Sequence, residues 1–113
     1  MQKKLLSSLI GSIVIAPGTA QAGLTGADIV SGSGSIEQIG SQTIIRQTSD
    51  QIQINFTDFS IAANETVQFI QPSSSAIAIN NVLGSNNPSL IFGNLIANGQ
   101  IILINAGGIN IAS

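Results

Sequence analysis

Apolar and polar residues alternate along much of this chain with a period of two, and no stretch carries the 3.6-residue period of a helix. The cleanest case is Gln51-Ile52-Gln53-Ile54-Asn55-Phe56, where Ile52, Ile54 and Phe56 point to one side and the amides to the other. Thr66-Val67-Gln68-Phe69 repeats the pattern with Val67 and Phe69 inward. Strands are predicted over residues 35–39, 43–47, 51–56, 66–70, 76–82, 89–92, 100–104 and 108–111. Clusters of Gly, Pro, Ser and Asn separate them, among them Gly40-Ser41, Pro72-Ser73-Ser74-Ser75, Asn98-Gly99 and Ala106-Gly107-Gly108. Residues 23–34, rich in Gly, Ser and Thr, read as a loosely structured lead-in. Ile77 and Ile79 share one face of their strand. Only Ile101-Ile102-Leu103-Ile104 is apolar on both faces, which predicts cover on both sides or contact with another chain. It is also the most aggregation-prone window. The class is all-β.

Spacing narrows the architecture. Ile54, Ile79 and Ile104 recur every 25 residues, and Phe69 and Phe92 lie 23 apart. A period in this range marks a solenoid whose coils are short strands joined by turns. Asn80 and Asn105, also 25 apart, then fall at equivalent corners where their amides bond neighbouring backbone or one another. Asn98-Gly99 is a hairpin-type turn signal, so Asn80, Asn98 and Gly99 are assigned structural turn roles. A small β-sandwich is the competing architecture. It takes about 100 residues and two well-patterned faces, for which this chain is short and poor in aromatics.

The first residues read differently. Lys3 and Lys4 precede a largely apolar segment, residues 5–16, and Pro17-Gly18 follows. Ala20-Gln21-Ala22 then supplies the small-x-small pattern of a signal-peptide cleavage site, placing the cut between Ala22 and Gly23. Twelve residues are too few to cross a bilayer, which takes about 20. The expected domains are therefore a signal peptide, 1–22, and a mature chain, 23–113. That mature chain keeps one cation (Arg46) and five acids (Asp28, Glu37, Asp50, Asp58, Glu65), a formal charge of 1 − 5 = −4. Charged residues make up 7% of the whole chain, against about 25% in an average soluble domain. With no Cys there is no disulfide staple for a small exported domain. Stability must come from stacking against further chain or from self-association.

Read in order, the motifs resemble the two-partner secretion domain that opens filamentous haemagglutinins, large haemolysins and contact-dependent inhibition toxins. Residues 51–61 resemble its I-N-W-x-x-F-x-I stretch, and Val67-Gln68-Phe69-Ile70-Gln71-Pro72 its V-x-F-x-Q-P. Ile79-Asn80-Asn81-Val82-Leu83-Gly84 is similar to L-N-R-V-x-G, and residues 87–99 to N-P-S-x-I-x-G-x-L-x-A-N-G. Residues 100–109 resemble x-V-x-L-I-N-P-N-G-I. The resemblance implies a right-handed parallel β-helix with an N-terminal cap, here truncated. It implies passage through the periplasm, recognition by periplasmic domains of an outer-membrane barrel transporter, and a secreted or cell-surface destination. It places the transporter-recognition motif on Asn105, Ala106, Gly107, Gly108 and Ile109. Ala106 stands where the family has Pro and Gly107 where it has Asn, so a looser turn is expected. Phe56 replaces Trp and Asn81 replaces Arg. The family domain is longer and precedes a passenger, so the chain is expected to be a fragment or remnant. Contact with host or neighbouring cells would belong to that passenger.

Chemistry is sparse. Without His or Cys there is no imidazole base, thiolate or soft-metal site. Three cations give no nucleic-acid footprint. No catalytic residue, metal or cofactor is expected. Asp50, Asp58 and Glu65 read as solvated turn acids rather than a cluster for Ca²⁺ or sugar hydrolysis. A self-assembling β-rich surface fibre subunit is the alternative function, resting on low charge, amide content and residues 101–104.

Overall fold

A computed structural model describes residues 13–14, 23–84 and 86–112. Within them all regular structure is β: β1 (Ile13–Val14), β2 (Gly23–Thr25), β3 (Asp28–Ser31), β4 (Gly34–Ile39), β5 (Gln42–Gln47), β6 (Gln51–Phe56) and β7 (Asp58–Ser60). These are followed by β8 (Thr66–Ile70), β9 (Ile77–Val82), β10 (Ser89–Ile91), β11 (Asn94–Ala97), β12 (Gln100–Asn105) and β13 (Ile109–Ile111). The signal-peptide expectation lies outside the described residues apart from Ile13 and Val14, which pair with Ile36 and Glu37.

The strands form mixed sheets in which successive turns of chain stack in parallel. β5, β8 and β11 follow one another in one five-stranded sheet, while β6, β9 and β12 do so in a four-stranded sheet. A third side is made by β10 on β13, extended by a parallel bridge between Ile61 and Ile91. At one end the ladders become antiparallel: β3 runs against β6, β2 against β7, and β4 and β5 form a hairpin through Gly40. The lead-in expected to be loose is thus a cap of paired strands. Its Gly/Ser sequence hides this because its partners lie in β6 and β7, far along the chain.

Alternation sets which side is buried. Ile52, Ile54, Phe56, Val67 and Phe69 are fully enclosed, with Ile45 above and Ala78 and Ile91 below completing the interior. Phe56 and Phe59 meet edge to face at 5.2 Å, an arrangement worth about 0.5–1.5 kcal/mol beyond area burial. Each fully buried Ile or Phe adds about 1.5–3 kcal/mol.

The register differs from the 25-residue spacing. Ile54 lies opposite Asn80 and Asn80 opposite Leu103, offsets of 26 and 23. Phe69 lies opposite Ala97, not Phe92. The corners differ in length, six residues between β8 and β9 but two between β11 and β12, so no single period holds. A shift of one position turns a side chain to the other face. Ile77 and Ile79 do share a face, but it is the outer one. Ile101 and Leu103 pack against the core, while Ile102 and Ile104 are exposed. Nothing among the described residues covers them.

Candidate functional site

The residues assigned to recognition, 105–109, form the corner between β12 and β13. Asn105 closes β12 opposite Val82, and its side chain organises the turn. Its Oδ1 accepts from Gly107 N at 2.8 Å, and its backbone oxygen accepts from Gly108 N at 3.0 Å. Its Nδ2 donates to Asn87 O at 3.1 Å and Ser89 Oγ at 3.0 Å, tying the turn to the corner stacked beside it. Ser89, itself enclosed, donates its N–H to Gly108 O at 2.9 Å. The turn is therefore held from both sides, not loosened as Ala106 and Gly107 suggest from sequence. The reason is proximity. A Cβ on Gly107 would stand 2.7 Å from Asn86 O and 2.9 Å from Asn87 O, so glycine lets two backbones meet. Gly108 takes φ +107°, a conformation that favours glycine. Ala106, Gly108 and Ile109 remain exposed.

The spacing assigns Asn80 a turn equivalent to that of Asn105; the structure places it elsewhere. It lies in the middle of β9, points inward and is fully buried, with Leu103 and not Asn105 on the next rung. The offset between β9 and β12 is 23, two positions short of the expected 25, which accounts for the difference. Asn98 and Gly99 make a corner between two sheets, β11 to β12, instead of a hairpin. Asn98 exchanges two bonds with the Gln71 backbone: Gln71 N donates to Asn98 Oδ1 at 2.7 Å, and Asn98 Nδ2 donates to Gln71 O at 2.8 Å. Gly99 N donates to Gln71 Oε1 at 2.8 Å.

That corner also holds a buried pair of glutamine amides. Gln47 and Gln71, at the ends of neighbouring β5 and β8, are both buried, and Gln71 Nε2 donates to Gln47 Oε1 at 3.1 Å. Gln71 also reaches Ala76 O and Gln100 O, while Gln47 Nε2 reaches Ser49 O and Ile77 O. Two amides thus satisfy backbone groups on three stacked corners. The available signal is Gln at the close of two apolar strands 24 residues apart, Gln47 and Gln71.

No group of three or more His, Cys, Asp or Glu converges among the described residues. Beside the 105–109 corner an open groove of about 420 Å³ runs past Asp58, Pro88 and Leu90, with Asp58 its one charged lining group. Ala20 and Ala22 lie outside the described residues. Gly23, the expected first residue after cleavage, opens β2 opposite Ser60.

Stacked parallel rungs, an antiparallel cap and amide-bonded corners define a class: all-β modules built from stacked short strands. Residues 20–113 match the TPS secretion domain, and the chain belongs to that family. It is 37% identical over 84 residues to a heme/hemopexin-binding protein of Haemophilus influenzae, a match covering 74% of this chain and 9% of that protein. A second heme/hemopexin-binding protein of that species is 43% identical over 65 residues, covering 58% of this chain and 7% of the relative. The crystal structure of the HMW1 secretion domain from Haemophilus influenzae matches with a TM-score of 0.75 and 42% identity, covering 80% of this chain and 24% of that one. The chain thus spans less than a tenth of these curated relatives.

Proposed function

We propose that this chain is the secretion-directing domain of a larger exoprotein that leaves a Gram-negative cell through an outer-membrane barrel transporter. Residues 1–22 are the signal peptide, cleaved between Ala22 and Gly23, and residues 23–113 belong to the secretion domain. The observation that carries the reading is the family match over residues 20–113, on a chain with stacked parallel rungs. In the whole exoprotein those rungs open a right-handed parallel β-helix.

The transporter's periplasmic domains read residues 105–109. The geometry supports a reading made before the corner closes, because both polar atoms of Asn105 and the N–H groups of Gly107 and Gly108 are bonded in the folded turn. Folding then removes the address and leaves the chain outside. The passenger's task, whether adhesion, lysis or the heme or hemopexin binding named for the relatives, lies beyond this domain. No catalytic role is proposed.

The test is export from a Gram-negative host carrying the chain with and without its partner transporter. Wild type should appear in the medium only when the transporter is present, and Asn105→Ala should lower that amount at least tenfold. Equal release without the transporter refutes the proposal.

The free edges of β11, β12 and β13 support a second reading, self-association into fibres, since no strand lies beyond them among the described residues.

A further inference from the structure

Hydrophobic pattern does not fix how β12 lies on β9. Ile101, Ile102, Leu103 and Ile104 are all apolar, so a slip of one residue exchanges one inward pair for the other with little loss of apolar burial. Yet a slip would carry Asn105 off Ser89 and Asn87 and dismantle the corner. Something polar must choose the register.

Asn80 has the required properties. It is 0% exposed in a column with Ile54 on one side and Leu103 on the other, where a Leu or Ile would continue the apolar stack. Its Nδ2 donates to Ala78 O at 3.3 Å on its own strand and to Ile102 O at 3.2 Å on β12. Its Oδ1 is buried and finds no hydrogen-bond partner among the described residues. A buried acceptor left unbonded carries a desolvation cost, so this amide stabilises less than a Leu or Ile continuing the stack. Selecting register at the expense of stability is the best-attested use of a lone buried polar group. Gln71, which follows β8 and bonds Gly99 and Gln100 at the start of β12, is different: it satisfies corner backbone groups and leaves none of its own polar atoms unbonded.

We infer that Asn80 is a positioning residue: its bond to Ile102 O sets the register of β12 and so delivers Asn105 to the corner. The functional importance rests on reading 105–109 as the transporter address; the register itself does not.

The chain has no native cysteine, so introduced pairs report register without background. In the full chain, Ile79→Cys with Ile102→Cys joins outward neighbours of the observed register, about 4.8 Å apart and within disulfide reach. Ile79→Cys with Ile101→Cys, or with Leu103→Cys, joins residues that become neighbours only after a slip of one. Under mild oxidation the first pair alone should close in the otherwise wild-type chain. Adding Asn80→Leu, or the smaller Asn80→Val, should raise a slipped disulfide at least fivefold while the first pair falls. If neither variant yields a slipped disulfide, the inference is overturned, whether the first pair still closes or is lost by unfolding. Undiminished export of Asn105→Ala would defeat the address reading and leave the cross-linking result standing.

Discussion

At Gly107 the absence of a side chain lets the carbonyls of Asn86 and Asn87 sit against the turn that Asn105 organises. Gly107→Ala must push two stacked corners apart, and overpacking of this kind costs about 1–3 kcal/mol. The expected result is a lower denaturant midpoint with an unchanged m-value; an unaltered midpoint would mean the corners separate freely. From sequence this position read as freedom, because glycine's permissive backbone is a local property and visible in one dimension. The approach of residues 86 and 87 is not local. It depends on where the preceding rung places its corner, and no pattern near Gly107 encodes that. Asn105 was legible as a turn residue for the opposite reason: its bond to Gly107 N spans two positions.

Among the elements, the eight strands with clear alternation or dense apolar runs were readable, and the structure has a strand at each. β2, β3, β7 and β11 were not. Each is three or four residues long, and their Gly, Ser, Thr and Asn content matches that of turns. They are strands because of what they pair with. The glutamine corner was equally hidden: Val67-Gln68-Phe69-Ile70-Gln71-Pro72 showed a motif without showing that Gln71 turns inward. Gln71→Leu keeps the volume approximately and removes every side-chain bond to Gln47, Ala76, Gly99 and Gln100. Leaving buried partners unbonded costs about 1–3 kcal/mol for each group. The variant should lose at least about 2 kcal/mol in chemical unfolding; an equally stable variant would show that water replaces the amide at no cost.

For the whole molecule, the pattern predicted the layering of apolar Ile and Phe inside and amides outside, and missed the unequal offsets that corner lengths impose. The outer face changes character down the stack. β6 shows Gln51, Gln53 and Asn55 outward, whereas β12 shows Ile102 and Ile104, both exposed on the strand that ends its sheet among the described residues. Such an edge is a template for pairing with another chain, and lysine is a common natural remedy. If the proposed self-association uses this edge, Ile102→Lys leaves the fold intact and reduces association several-fold, as read by light scattering or fibril-binding dye over time. Unchanged association would move the contact to another surface.

The parallel stacking described here also decides how the chain comes apart. β4 and β5 are the one pair of consecutive described strands joined as a tight hairpin. A hairpin opens like a zipper, two residues at a time. Elsewhere in the stack a strand's parallel neighbour lies from 20 residues away, as Ser89 to Ile109, to 28, as Thr66 to Asn94. Tension applied from the side of Ile111 therefore meets β13 on β10 and then β12 on β9 as whole-strand catches, and their release frees residues 98–112 up to β11, which β8 still holds, about 50 Å of extended chain at roughly 3.4 Å per residue. Slack in this molecule is dispensed by the rung.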